Sequence, residues 1–329
     1  MTKALTLSNP IGFLLLPQFT MIALASAIEP LRIANRYLSE KYCFRLLSVD
    51  GASVPDGNDI HFQVDGSLED AGPLGCLFIV SDLRPERFYS ARMRRWLHTL
   101  DRSGCTLGSL DTGCIILARA GLLERQRVTL HWEVMDAFHE RFPRVNVQLS
   151  LFEIDQGRMS SAGGSASLDM MLHAIALDHG MSVATRVAEH CLHRGIRAGE
   201  SGQRSPLPMR TGAHHPTLVK AIGLIEAKNG EPMVVSVLAA ELGVSARHLL
   251  RLFQKHIGEP PAAWQLRQRL NRARALLIQT DLNVTAISEI CGFRSAGHFS
   301  TAFRKHFESS PSQSRGPRAS DRLVADVMS

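Results

Sequence analysis

Six cysteines stand at positions 43, 76, 105, 114, 191 and 291, and none belongs to a CxxC pair or another metal-like spacing. That excludes a zinc ribbon and a thioredoxin-like redox motif, and nothing else in the chain asks for a metal or a cofactor. Scattered single thiols in 329 residues point to a reducing compartment and to buried side chains. Aromatics are also scarce, with three Trp and three Tyr. Charge is missing altogether from Thr6 to Ile28. That stretch approaches the length of a membrane span, and Ala23-Leu24-Ala25 and Ala25-Ser26-Ala27 have the form of signal-peptidase sites. Pro17, Gln18 and Thr20 interrupt it, however, so it reads as a buried strand, a turn and a helix, with no membrane partner.

Net charge is absent from residues 1–212, where 22 Lys and Arg balance 22 Asp and Glu. Residues 213–320 carry 14 basic and 7 acidic residues, so the whole excess sits in one C-terminal block. A basic block suits a polyanion, because bound Lys and Arg release counterions condensed on nucleic acid.

The first ~190 residues alternate short apolar runs with helical periodicity, the pattern of a mainly parallel α/β sheet. Strands are expected at 11–16, 44–49, 76–81, 106–110 and 145–154. Helices are expected at 21–37, 88–102, 112–120, 133–142 and 165–179, the last with Ser165 as its N-cap. A segment at 195–213, rich in Gly, Pro and polar residues and without apolar periodicity, reads as a linker. The expected boundaries are an α/β domain at 1–194, a linker at 195–213, an all-α domain at 214–317 and a flexible tail at 318–329.

Past the linker the strand signals stop and an internal repeat appears. Leu238-Ala239-Ala240-Glu241-Leu242-Gly243-Val244-Ser245 precedes Leu249 and Phe253. Ile287-Ser288-Glu289-Ile290-Cys291-Gly292-Phe293-Arg294-Ser295 precedes Phe299 and Phe303, with one extra residue in the turn. Each copy reads as a short helix, a turn with Gly where φ can be positive, and a second helix: a helix-turn-helix. The apolar pairs at i and i+4 face a small core. The opposite faces carry Arg247, Leu250, Arg251 and Gln254 in the first copy and Ala296, Gly297, Ser300, Thr301 and Arg304 in the second. Such helices fit the major groove of double-stranded DNA, where Arg bonds guanine in bidentate fashion. Lys255, Arg304 and Lys305 come later and suit phosphates.

Residues ~216–315 resemble the DNA-binding domain of the AraC/XylS family. The matching elements include Leu238-Ala239, Gly243-Val244-Ser245, Arg251-Leu252-Phe253, Gly258, Trp264, Ala273-Arg274, Gly292-Phe293, Phe303-Arg304-Lys305, Phe307 and Pro311. The resemblance implies two helix-turn-helix units joined by a long helix near 261–279, reading major grooves about one turn (~34 Å) apart. Base readout would fall on Arg247, Leu250 and Arg251, and on Ala296, Gly297, Ser300 and Thr301. Glu308 stands where the family usually has Gly, and Ser314 where it usually has an aromatic.

The run Thr106-Leu107-Gly108-Ser109-Leu110-Asp111-Thr112-Gly113 passes from strand to helix and has the form of a nucleophile elbow. His131-Trp132-Glu133 follows twenty residues later. With Glu29-Pro30-Leu31-Arg32 and Ser161-Ala162-Gly163-Gly164, this resembles the PfpI-like branch of the class I glutamine amidotransferase-like superfamily, as found in GlxA-type regulators. In that superfamily's enzymes the elbow residue is Cys. Here it is Asp111, and the early acid aligns near Ala23. Cys114 lies inside the helix without an obvious base and reads as core, so no enzyme is expected. The alternative is a Cys-dependent hydrolase or amidotransferase fused to a DNA anchor, with Cys114 or Cys105 as nucleophile.

Members with this elbow and motif resemble regulators of glycine betaine, carnitine or arginine catabolism. The implied protein is a cytoplasmic activator with a small nitrogenous effector, a homodimeric state and RNA polymerase as partner. Asp111, Thr112, His131, Trp132 and Glu133 are the expected effector contacts. Asp111 would face a cationic group, and Trp132 would offer a π-face. Trp132 and Glu133 equally suit helix-start packing and pairing with the helix dipole.

Overall fold

A computed structural model describes residues 7–82, 84–205, 208–209, 215–228, 231–280 and 282–315. The expected tail at 318–329 and part of the expected linker lie outside the described residues. The chain divides into two compact units, 1–203 and 204–329.

Six strands form the sheet of the first unit: β1 (Ile11–Leu15), β2 (Phe44–Leu47), β5 (Cys76–Ser81), β6 (Thr106–Asp111), β9 (Phe152–Asp155) and β10 (Arg158–Ser161). Two minor ribbons pair β3 (Val54–Pro55) with β4 (His61–Phe62), and β7 (Arg127–Val128) with β8 (Asn146–Val147). The sheet order is β2-β1-β5-β6-β10-β9, parallel except for the last pair. Every residue of β1 and β5 is buried, as a parallel sheet covered on both faces requires. Successive side chains point to opposite faces. Ile11, Phe13 and Phe78 join one core with helices α1 (Met21–Ala34), α5 (Ala166–His179) and α6 (Met181–His190). Leu14, Leu77 and Ile79 join the other, with α2 (Ala91–Arg102), α3 (Cys114–Arg119) and α4 (Met135–Arg141). The result is the expected flavodoxin-like three-layer fold.

The expected strand at 145–154 is instead two short pieces, β8 and β9, and β10 fills the gap beside β6. Its sequence, Arg158-Met159-Ser160-Ser161, is buried throughout yet reads as polar. Long-range bonds compensate that polarity. Ser160 Oγ accepts from the Thr129 N–H at 2.9 Å, and Arg158 donates to Asp101 at 2.6 Å. Helix α6 was also unforeseen: Gly180, at φ +89, ends α5, and the chain immediately resumes as a helix. Ser165 holds the N-cap position of α5 but makes no cap bond, since its hydroxyl accepts from Arg197 at 2.9 Å.

In the second unit every regular element described is a helix. These are α7 (Pro216–Ala227), α8 (Val235–Glu241), α9 (Ala246–His256), α10 (Pro261–Gln279), α11 (Val284–Ile290), α12 (Ala296–Phe307) and α13 (Pro311–Arg315). Leu218, Ile222, Leu238, Leu249, Phe253 and Trp264 form the core of its first half. Its second half is built on the rings of Phe293, Phe299, Phe303 and Phe307, with successive centroids 4.6–5.4 Å apart.

Candidate nucleic-acid interface and effector site

The repeat in the second unit is structural. Helices α8 and α9 form one helix-turn-helix and α11 and α12 the other, with Gly243 at φ +67 and Gly292 at φ +69 in the turns. Ser245 caps α9 by accepting from the His248 N–H at 3.1 Å, and Ser295 caps α12 by accepting from His298 at 3.2 Å. Between them α10 runs 19 residues, about 28 Å of helix.

Arg247, Leu250, Arg251, Gln254 and Lys255 are exposed on α9, while Leu249, Leu252 and Phe253 are buried. On α12, Gly297, Thr301, Arg304 and Lys305 are exposed, and Ala296 and Ser300 are half-buried. Two of these side chains are already engaged. Gln254 donates to the Gly258 carbonyl at 3.1 Å, and Thr301 to the Gly297 carbonyl at 3.0 Å. His248, not singled out from sequence, lies within 3.3 Å of an Arg251 guanidinium nitrogen.

Composition overstates the charge available to DNA. Arg269 donates to the carbonyls of Cys291 and Gly292 and lies over the Phe293 ring at 4.1 Å. Arg272 donates to Ile290 O, Arg315 to Leu282 O, and Arg267 pairs with Glu259. These four guanidinium groups brace turns and helix ends, where unsatisfied carbonyls gather. Arg247, Arg251 and Lys255 on α9 and Arg304 and Lys305 on α12 remain exposed.

In the α/β unit the elbow is real. Asp111 has φ +62, an uncommon conformation for a non-glycine residue. Close backbone approach permits it: a Cβ on Gly113 would stand 2.2 Å from the Ile79 carbonyl, and one on Gly163 would stand 2.6 Å from the Asp111 carboxylate. Thr20 donates to Asp111 Oδ2 at 3.0 Å. Thr112 bonds the Ser81 hydroxyl at 2.9 Å and donates to the Asp82 carbonyl. Burial first, and then the charge of Asp82, push the Asp111 carboxyl up to about 7, with Glu133 adding to the rise. His131 sits 4.0 Å from Glu133 and 5.6 Å, ring to ring, from Trp132. Burial lowers its imidazole against the pull of Glu133 and Asp82. Asp111, Thr112 and the 131–133 motif therefore belong to one electrostatic neighbourhood.

Cys114 is fully buried in α3, and burial pushes its thiol up to about 12. A nucleophilic thiol needs the opposite: exposure and a lowered pKa. Cys105 is also buried. Among the described residues no group of three or more His, Cys, Asp or Glu is arranged to hold a metal, and no helix is long and apolar enough to cross a membrane.

A tandem helix-turn-helix unit, joined to an α/β unit whose elbow has exchanged its nucleophile for a carboxylate, defines a two-domain transcriptional regulator. A family described as a helix-turn-helix domain matches residues 238–316. The transcriptional regulator CdhR of Pseudomonas aeruginosa is 43% identical over 309 residues, spanning 94% of this chain and 92% of its own. GlxA of Rhizobium meliloti is 33% identical over 308 residues, spanning 93% and 95%. An AraC family regulator from Pseudomonas putida superposes with a TM-score of 0.53 at 26% identity, over 56% of this chain and 100% of that one. A ThiJ/PfpI family protein from Pseudomonas syringae shares the fold, with a TM-score of 0.52 at 17% identity over 69% of this chain and 90% of its own. The chain belongs to the GlxA-type transcriptional regulators of the AraC/XylS family, and it is a DNA-binding regulator rather than an enzyme.

Proposed function

We propose that this regulator is an effector-responsive activator whose effector is a small nitrogenous cation or zwitterion bound at Asp111. The carrying observation is the elbow itself. A carboxylate is held in a strained turn, 5% exposed, beside two further carboxylates. Folding gains nothing from that arrangement. A cationic ligand relieves it, because an opposite charge restores the ionised form. The C-terminal edge of a parallel sheet is where such ligands bind. Trp132, whose ring centroid lies 5.6 Å from that of His131, would offer a π-face to an ammonium or guanidinium group.

Arg247, Leu250 and Arg251 would supply direct base readout. Ala296, Gly297, Ser300 and Thr301 would allow close approach of α12, and Lys255, Arg304 and Lys305 would take phosphates. Gln254 would exchange its bond to Gly258 for one to DNA. The reading includes a cytoplasmic homodimer that contacts RNA polymerase. Calorimetry with glycine betaine, carnitine and arginine tests the effector. At least one should bind the wild type and lose at least ~10-fold affinity in Asp111→Asn. Equal binding to both would place the effector elsewhere.

A further inference from the structure

The segment between the two helix ends His190 and Pro216 is tied down over its first part, and its anchors fall on two loops beside Asp111. At one end Asp169, fully buried in α5, accepts from the Arg197 backbone N–H and from its Nε, each at 2.8 Å, and from His193 at 2.8 Å. The same Arg197 reaches Ser165, two residues past the Gly163 that touches Asp111. In the middle the Gly199 carbonyl accepts from the Leu151 N–H at 2.8 Å, and a Cβ on Gly199 would stand 2.7 Å from the Phe152 carbonyl. At the far end the Gln203 amide donates to Leu130 O at 3.0 Å, Thr129 Oγ1 at 3.1 Å and Ser150 O at 2.8 Å. Leu130 immediately precedes His131-Trp132-Glu133, and Gln203 is the last residue of the α/β unit.

We propose that Gln203 is a positioning residue for the effector motif, and that the strap 197–203 and that motif change state together at the C-terminal boundary of the α/β unit. The link to an effector rests on the reading of Asp111 given above; the mechanical coupling does not. Three features make this last anchor a switch rather than a fixed weld. The Gln203 amide group has two hydrogens for three acceptors, so one bond is shared. Gln203 Oε1 is buried without a partner among the described residues, so docking leaves an uncompensated acceptor. Two of the three acceptors, Thr129 Oγ1 and Leu130 O, adjoin the 131–133 motif, so a change there alters the latch, and the latch alters the motif in return.

Hydrogen exchange on the full chain tests the coupling without any ligand. Gln203→Glu keeps the side-chain length and removes the donors. It should speed exchange of the amides at 129–134 and at 198–203 together, by about tenfold, and leave the buried strands β1 and β5 unchanged as a control for folding of the α/β unit. Gly199→Ala, which lifts the strap at its midpoint, should do the same. Acceleration confined to the strap, with 129–134 unaffected in both variants, would overturn the proposal. A second arm adds glycine betaine or arginine to the wild type. Binding that leaves exchange at 198–203 unchanged would also overturn it. If neither compound binds, the effector reading fails for these probes, while the ligand-free arm still decides the coupling.

Discussion

The elbow of the α/β unit and the reading helices of the helical unit handle functional side chains in opposite ways. At the elbow a carboxylate is buried in left-handed backbone, desolvated and crowded by like charge. On α9 and α12 the proposed DNA contacts lie on relaxed helices with serine caps, all but Ala296 and Ser300 of them exposed to solvent. The first arrangement weakens the empty fold, and the proposed cationic effector would recover the difference. The second costs the fold almost nothing, so its contacts can change without endangering the domain. On the proposed reading, regulation sits where the structure is under tension, and sequence reading sits where it is not.

The largest effect should come from relieving the tension. The Asp111 carboxyl rests at about 7 in the folded chain against an ordinary 3.8, so between those values the folded form binds the extra proton. Stability from this group is therefore lost as pH rises from about 4 to about 7, and the deficit persists above that. Asp111→Asn removes the deficit and can keep the bond from Thr20. Its gain should reach ~2–4 kcal/mol at pH 8 and vanish towards pH 4, measured by urea denaturation. The same linkage requires cationic effector binding to weaken as pH falls below about 7. A destabilised Asp111→Asn at pH 8 would break the contrast.

Next in size is Arg251→Ala, which should cost ~1–3 kcal/mol of DNA affinity at one base pair and little stability. Equal loss on every sequence would move Arg251 to the phosphate class. Lys305→Ala is expected to weaken binding uniformly and to lower the salt slope by about 1. The smallest change concerns the one strained residue at the end of a reading helix. Glu308 caps α12 at φ +57, so Glu308→Gly should stabilise the helical unit by ~1 kcal/mol without altering DNA selectivity.

The same contrast explains what the sequence disclosed. The helical unit was legible because apolar residues recur at i and i+4 around Gly243 and Gly292, a purely local pattern. The bounds of α10 follow from the family resemblance, and Glu308, at φ +57, stands where that family usually has Gly. The elbow was legible as a strand-to-helix run. The surroundings of Asp111 were not, because burial, Asp82 and Thr20 are brought to it from distant segments. Strand β10 escaped because Ser160, Ser161 and Arg158 find their partners at Thr129, Ser167 and Asp101, a pairing that no window of sequence contains. The anchoring role of Gln203 escaped for the same reason: a lone Gln among Gly, Ser and Arg carries no periodic signal.

The most direct test of the account is to incubate the full-length protein with sheared genomic DNA of its host at fixed salt and sequence what is retained. A small set of sites sharing a two-part motif, with half-elements about one helical turn apart, is the predicted result. Uniform retention across the genome would contradict specific readout by the two helices and, with it, the regulator described here.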